Sequence, residues 1–370
     1  MTISRRGLLI AGLSIASVSW SFGAEKAPSA ATPLKERDWG KNPAIVVLPQ
    51  SPDVFALGDV HADCDRLLEV LAGGRLISVT KDSSGNLTPK WIGGKAVLVI
   101  TGDFIDKYTQ AVRVVAALRQ IQAQAAEAGG RVVVCLGNHE AEFLAAGGMD
   151  KKAAEFAAEL TRAGVTPQNV AAGKDALGIG AWLRQLPVGA KVGDWFFCHA
   201  GNTGGKTLVD LEAELEKELT EKGYATDLLL DPNSMLEARM HPRQWWDAED
   251  PALHDVDTSS SHHKKPAAMG AGNDNAAAPA KLVEVVKALG ARHLVIGHQP
   301  GEIRFTSDGA IRAKGEMFEH YRGLFFMIDV GTSRGVASGR GALLYVRTRG
   351  NQTTAAAVYH DGLTRVLWRN

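Results

Sequence analysis

Short apolar runs alternate with amphipathic stretches through most of the chain. The apolar runs, which predict strands, lie at residues 54–57, 97–101, 132–136, 195–198, 294–296 and 325–328. Apolar residues recur at helical spacing at 67–71 and 112–121, and Asp63 stands at the N-cap position before the first of these helices. Strands that alternate with helices predict an α/β fold with a layered sheet.

Two segments interrupt this alternation. Residues 80–91, with Ser-Ser-Gly-Asn at 83–86, predict an inserted β-hairpin. Residues 203–280 predict a larger insertion, in which a charged helix at 210–222 is followed later by a low-complexity stretch at 254–279. Residues 342–368 alternate between apolar and polar, as paired strands do. We therefore predict one domain over residues 53–370 that contains a helical and low-complexity insertion at 203–280.

The first 24 residues have the pattern of an export signal. Arg5 and Arg6 precede an uncharged, mostly apolar stretch at 8–22, and small residues follow at 23–24. An arginine pair preceded by serine matches the twin-arginine pattern, which directs export of folded proteins. We expect residues 1–24 to be a cleaved twin-arginine signal peptide, with an uncleaved anchor or a chance match as the alternatives. Residues 25–52, with four prolines, are then a tether that includes an edge strand near 44–48.

Composition narrows the expected partners and location. Lys and Arg together number 41, as do Asp and Glu, so the bulk charge gives no reason to expect a nucleic-acid partner. Because the apolar stretch near the N-terminus is short, we expect no stable membrane insertion after cleavage. The expected location is the periplasm or the outside of the cell. Three cysteines without a Cys-x-x-Cys pair predict buried free thiols and exclude a zinc ribbon.

Five of the predicted strands end in a turn that carries a potential metal ligand. The turns are Gly-Asp-Val-His at 58–61, Gly-Asp-Phe-Ile-Asp at 102–106, Gly-Asn-His-Glu at 137–140, His-Ala-Gly at 199–201 and Gly-His at 297–298. Sites in α/β proteins form outside the carboxyl ends of strands, so these turns can converge. Carboxylate, imidazole and amide ligands suit Mn, Fe or Zn, and a carboxylate that bridges two cations gives a two-metal centre.

The order of these motifs resembles the calcineurin-like metallophosphoesterase superfamily, and the full Gly-Asn-His-Glu is similar to its phosphoprotein phosphatase branch. Trp-Ile-Gly-Gly at 91–94, Gln-Ala at 124–125 with Gly-Gly at 129–130, and Ile-Asp-Val-Gly at 328–331 with Ser333 resemble the bacterial Shewanella-like phosphatases. The resemblance covers about residues 53–344. It implies a layered β-sandwich flanked by helices, with the metal site at the carboxyl-terminal ends of the strands.

The resemblance also implies a metal-binding role for six residues. Of two divalent ions, the first would be bound by Asp59 and His61, and the second by Asn138, His199 and His298. Asp103 would bind both. The metal could be Mn, Fe or Zn.

Two further residues are expected to act on the leaving group. The resemblance implies that His139 donates a proton as the general acid and that Asp106 orients it. The alternative for Asp106 is a helix N-cap, and the alternative for His139 is a packed histidine beside the metals. Glu140 is expected to cap or support its turn rather than to react.

The phosphate-binding positions depart from the family pattern. Where protein phosphatases usually carry Asp-Arg-Gly, this chain has Asp106 followed by Lys107 and Tyr, and lysine lacks the planar fork of arginine. Arg239 and Arg243 both lie where the family places a second phosphate-binding arginine, and Arg239 fits the Shewanella-like arrangement better. We expect Lys107, Arg239 and Asn138 to contact the substrate phosphate.

The expected function is therefore that of a metal-dependent phosphomonoesterase of the phosphoprotein phosphatase type. The resemblance implies that metal-bound hydroxide attacks phosphorus in line, without a phospho-enzyme, in a phosphorylated protein or a small phosphate ester. Two alternatives stay open at this point, namely a symmetrical dinucleoside polyphosphate hydrolase and a catalytically silent metal-binding protein. The presence of His139 and Asp106 argues against the silent protein, because metal binding alone needs neither.

Overall fold

The computed structural model describes residues 33–83, 85–239, 278–305, 308–336 and 341–370. The predicted signal peptide, the start of the predicted tether, Arg243 and nearly all of the low-complexity stretch lie outside the described residues. The strands are β1 (Ile45–Leu48), β2 (Asp53–Leu57), β3 (Ile77–Lys81), β4 (Leu87–Trp91), β5 (Val97–Ile100), β6 (Arg131–Val134), β7 (Gly189–Val192), β8 (Trp195–Cys198), β9 (His293–Ile296), β10 (Ile303–Arg304), β11 (Ile311–Arg312), β12 (Phe318–His320), β13 (Phe325–Met327), β14 (Ala342–Arg349), β15 (Gln352–Tyr359) and β16 (Thr364–Arg369). The helices are α1 (Cys64–Gly73), α2 (Ala111–Glu127), α3 (Asn138–Ala145), α4 (Ala154–Arg162), α5 (Pro167–Ala171), α6 (Ile179–Leu183), α7 (Leu208–Lys222), α8 (Asp227–Leu230) and α9 (Ala280–Ala288), with a 3-10 turn at Lys151–Ala153.

Two six-stranded sheets form the centre of the molecule. One has the strand order β1-β7-β8-β9-β13-β12 and the other the order β16-β15-β14-β2-β5-β6. Val54 and Ala56 of β2 belong to the same buried cluster as Phe197 and Val295 of the opposite sheet. Alternate residues such as Leu57 belong to the other cluster, which includes the helices. Both faces of these strands are thus buried, and the predicted helix-flanked β-sandwich is confirmed.

Parallel pairing places the ligand-bearing turns at one end of this sandwich. β2 pairs in parallel with β5, and β5 with β6. In the other sheet β8 pairs in parallel with β9, and β9 with β13. The turns that follow parallel neighbours emerge at the same sheet edge. The corresponding edges of the two sheets meet, because Oδ1 of Asp103 in one lies 3.4 Å from Nε2 of His199 in the other.

The local predictions outside the site largely agree with the structure. Asp63 caps α1 by accepting a hydrogen bond from the backbone N–H of Arg66 (3.1 Å). The predicted hairpin is β3–β4, and the alternating tail is the antiparallel set β14, β15 and β16. In α2 the predicted Val115, Leu118 and Ile121 are buried together with Val114, and Val112 is partly buried against the same core. All three cysteines are free and buried.

Part of the stretch predicted as a tether packs on the domain. Leu34 and Ala44 are buried, and the backbone N–H of Leu34 donates to the carbonyl of Leu219 in α7. β1 lies at the edge of its sheet beside β7, where the edge strand was predicted. No helix within the described ranges is long and apolar enough to cross a membrane.

Candidate metal centre

The turns at the strand ends hold unusual backbone conformations. Ten non-glycine residues among those described have positive φ, and six of them are predicted site residues: Asp59, His61, Asp103, Asp106, Lys107 and His298. Such conformations cost energy and persist where the surrounding structure holds them, so they cluster at functional sites. Gly137 and Gly297 are required by close approach, because a Cβ on either would clash with the carboxylate of Asp103 or Asp59 respectively.

Four predicted ligands converge around His199. Its Nδ1 donates to the carbonyl of Thr101 (3.0 Å), so Nε2 is left as an acceptor. That Nε2 lies 3.0 Å from Oδ1 of Asn138, 2.9 Å from Nδ1 of His298 and 3.4 Å from Oδ1 of Asp103. Four electron-pair donors thus face one another in a buried space. A divalent cation fits this donor set, because it would offset their mutual repulsion.

Asp103 also faces a second group of ligands. Its Oδ2 lies 3.6 Å from Nε2 of His61 and 3.8 Å from Nε2 of His139. Within each of two groups, His61–Asp103–His139 and Asp103–His199–His298, the potential ligand atoms lie within 4.8 Å of one another in the part of the chain that is described. Asp103 belongs to both, which is the position that a bridging carboxylate requires.

Asp59 occupies a different position. Both of its carboxylate oxygens accept a hydrogen bond from the backbone N–H of His298 (3.1 and 2.9 Å). It lies outside the two groups of ligand atoms described above. Burial, and the neighbouring carboxylates of Asp329 and Asp103, raise the pKa of Asp59 well above its usual value. A bound cation would favour the charged form, so direct coordination by Asp59 remains a prediction.

The environment of His139 suits a proton donor. Its Nδ1 donates to the carbonyl of Lys152 (2.9 Å) and lies 3.4 Å from Oδ2 of Asp106. Burial lowers the pKa of His139, but Asp103 and Asp106 raise it more, to about 9. In the metal-free protein these two carboxylates therefore favour the protonated imidazole. Because its Nε2 faces Asp103, it can also be counted as a ligand on geometry alone.

Asp106 combines the two roles considered for it. Its Oδ1 accepts hydrogen bonds from the backbone N–H groups of Glu155 (3.0 Å) and Phe156 (3.3 Å), in the first turn of α4. It thus caps α4, whereas the helix that begins nearest to it in sequence is α2. The second oxygen remains directed at His139.

Glu140 supports the turn as expected. Its fully buried carboxylate accepts four backbone hydrogen bonds, with Asp103 (2.9 Å) and Gly137 (2.8 Å) on Oε2 and Phe104 (2.9 Å) and Ile105 (3.0 Å) on Oε1. These bonds join the turn after β5 to the turn after β6. Four N–H groups on one carboxylate fix the relative positions of Asp103 and Asn138.

Opposing charges set the protonation of the central ligands. Burial would raise the pKa of Asp103, but the histidines that face it lower the pKa to below its usual range. Burial lowers the pKa of His61 to about 3, and that of His199 below its usual value. The carboxylate is therefore charged and these two imidazoles are neutral, which is the state that binds a metal ion.

Each of the two predicted phosphate-binding cations lies near one of the two ligand groups. Nζ of Lys107 is 3.3 Å from Nε2 of His61, and Lys107 is exposed to solvent. Arg239 is also exposed, and its charge contributes to lowering the pKa of His298, so it lies near the second ligand group. Positive charge is therefore present beside both groups.

The family model for calcineurin-like phosphoesterases matches residues 53–302, which is more than half of the chain. The chain belongs to the calcineurin-like phosphoesterase family. All six predicted metal-binding residues and the predicted acid His139 lie inside the matched segment.

Individual relatives match over shorter stretches. An uncharacterised protein of Schizosaccharomyces pombe is 36% identical over 87 residues, which are 24% of this chain and 24% of that protein. Shewanella-like protein phosphatase 2 of Arabidopsis thaliana is 32% identical over 87 residues, 24% of this chain and 20% of that protein. The matches thus span about a quarter of these relatives or less. They support the Shewanella-like branch predicted from the motifs.

Solved structures share the fold over most of the chain. A cold-active protein-tyrosine phosphatase of a psychrophilic Shewanella species has a TM-score of 0.58 and 21% identity. The superposition covers 88% of this chain and 83% of the other. This likeness supports the same fold.

Several residues that hold the site were not predicted from the sequence. The hydroxyl of Ser333 donates to the carbonyl of His61 (3.0 Å), and Arg334 donates to the carboxylate of Asp63 (2.8 Å from Nε). The motif at 328–331 with Ser333 pointed to this segment without indicating its contacts. No residue pattern indicated the contacts of the Lys152 carbonyl or of the Arg312 guanidinium. In both cases the hydrogen bonds are to backbone carbonyls, which every residue type carries.

Proposed function

We propose that this protein is a metal-dependent phosphomonoesterase of the phosphoprotein phosphatase type. The observation that carries the proposal is the position of Asp103. Its two oxygens face two separate groups of ligands, one around His199 and the other around His61. Metal binding of this kind, with a protonated His139 beside it, supports hydrolysis of a phosphate ester rather than a purely structural ion site.

The ligand residues would hold two divalent ions, Mn, Fe or Zn. Asp103 would contact both ions. His61 and Asp59 would contact the first ion, and the second would be held by Asn138, His199 and His298. When bound, the ions would activate the attacking water and neutralise charge on the phosphoryl oxygens.

The remaining residues act on the phosphate and the leaving group. Lys107 brings positive charge close to His61 and Arg239 brings it close to His298, and the amide of Asn138 would contact phosphate as well as metal. His139 would give its proton to the leaving oxygen. The carbonyl of Lys152 and the carboxylate of Asp106 hold its other nitrogen, which fixes the ring for that transfer.

The proposed substrate is a phosphorylated protein or a small phosphate ester. The relatives named as protein phosphatases support this class. We also propose export through the twin-arginine route, followed by residence in the periplasm or outside the cell. This rests on the pattern of residues 1–24.

The decisive experiment is His139→Asn. We expect the variant to keep two metal equivalents and to lose about 10²–10⁴-fold in kcat on p-nitrophenyl phosphate, because general acid catalysis typically contributes that much. Elemental analysis of the purified variant reports the metal. Loss of one equivalent would make His139 a ligand instead.

Wild-type assays separate the competing functions. Faster turnover of diadenosine tetraphosphate than of any phosphomonoester would favour a dinucleoside polyphosphate hydrolase. A metal-loaded wild-type protein without turnover on either substrate would identify a silent metal-binding protein.

A further inference from the structure

Arg312 is a fully buried arginine near the metal centre. It lies in β11, a two-residue strand that pairs only with β10 in a short hairpin within the described residues. Its exposed fraction is 0%. Burial of a guanidinium is costly unless its N–H groups are bonded and its charge is balanced, so its neighbours indicate its role.

The guanidinium bonds to carbonyls on both sides of the ligand set. Nη1 donates to the carbonyls of Gln299 and Gly301 (2.9 Å to the latter), one and three residues after the predicted ligand His298. Nη2 donates to the carbonyl of Asp329, in the turn after β13. Nε donates to the carbonyl of Glu316 (2.9 Å). Arg312 therefore joins the turn after β9 to the turn after β13.

Both of these turns lie beside predicted metal ligands. The backbone of His298 has a positive φ of 72°, a conformation that a histidine holds only when its surroundings enforce it. The bonds from Arg312 to the carbonyls of Gln299 and Gly301 hold the chain that leaves His298. At the other turn, the Asp329 carboxylate accepts from the N–H of Gly331 (2.8 Å) and acts electrostatically on Asp59, the ligand that receives the N–H of His298.

The positive charge of Arg312 is also favourable at this buried position. Burial lowers the pKa of Arg312, while the carboxylates of Asp329, Asp59 and Glu316 oppose that change. The cation therefore lies near Asp59 and Asp329, whose carboxylates repel each other. A neutral side chain of similar size would remove both the bonds and this balance.

We propose that Arg312 is a positioning residue of the metal centre, which fixes the turn that presents His298 and the turn that carries Asp329. The proposal rests on the proposed metal site but not on turnover. It differs from a purely structural role in one respect: its loss must weaken metal binding by protein that is still folded.

The test compares Arg312→Lys and Arg312→Met with a matched control, Arg304→Lys. Arg304 lies in β10 of the same hairpin, and its side chain is 63% exposed beside Glu302. Each protein is freed of metal with a chelator, checked for folding by circular dichroism, and titrated calorimetrically with Mn²⁺. We expect the Mn²⁺ dissociation constant to rise about 10- to 100-fold in Arg312→Lys, because lysine keeps the charge but cannot bond to all four carbonyls. The control should change it less than twofold.

The outcomes distinguish the two proposals. A lowered melting temperature in the metal-free Arg312→Lys protein with an unchanged Mn²⁺ dissociation constant would overturn the positioning role. If Arg312→Met does not fold, the lysine variant decides. A wild-type protein that binds Mn²⁺ but hydrolyses no phosphate ester would refute the proposed function alone. A wild-type protein that binds no Mn²⁺ would overturn both.

Discussion

The buried carboxylate of Glu140 gives a quantitative prediction through Glu140→Gln. The side chain keeps its size, but one oxygen becomes an NH₂ group. Two of the four backbone N–H groups that Glu140 now satisfies then face a donor instead of an acceptor. Burial and the neighbouring Asp103 raise the pKa of Glu140 to about 7, so its carboxylate is fully charged only above that pH. Hydrogen bonds to a charged group contribute about 1.5–3 kcal/mol each, so at a pH of about 9 the loss of two should lower the free energy of unfolding by about 3–6 kcal/mol.

Urea unfolding of the metal-free protein measures this loss. The matched control is Glu155→Gln, which changes an exposed glutamate in α4 and should alter stability by no more than about 0.5 kcal/mol. We also expect weaker metal binding in Glu140→Gln, since its carboxylate holds the turns of Asp103 and Asn138 together. A stability loss under about 1 kcal/mol would refute the reasoning, because it would mean that the four bonds are not strong in the native state.

Three further predictions test other parts of the molecule. Lys107→Ala should lower kcat/KM for a phosphomonoester while Lys107→Arg should be tolerated, and unchanged kinetics in the alanine variant would leave Lys107 without a role in binding phosphate. Burial lowers the pKa of His293 to about 4, whereas its pKa in the unfolded chain is about 6.5. The contribution of neutral His293 to the free energy of unfolding should therefore be fully present above a pH of about 6.5 and fall by at most about 3 kcal/mol as the pH drops towards about 4. His293→Gln should flatten that acid limb in urea unfolding, and the same slope in both proteins would contradict the assignment. Replacement of Arg5 and Arg6 by lysines should stop export of active protein, and its arrival in the periplasm would favour the general secretory route instead.

The sequence alone determined the fold class and the residues gathered at the centre. Each turn that carries a predicted ligand directly follows a short apolar run. Such a run predicts a buried strand even when its neighbouring strands in the sheet are not known. The turns after parallel strands share one sheet edge, so local patterns were enough to predict that Asp103 lies near Asn138 and that His199 lies near His298. The motif order then restricted the family, which the match over residues 53–302 shows.

Tertiary structure decided how these residues are held. The contact between His139 and the carbonyl of Lys152, the capping of α4 by Asp106 and the contact of Arg312 with the carbonyl of Asp329 each join separate segments of the chain. Backbone N–H and carbonyl groups are the partners in every case, and all residue types share them, so no residue pattern marks the contact. The sequence could therefore name the residues of the candidate site, but only the packing of two sheets against each other could show which backbone groups fix them in place.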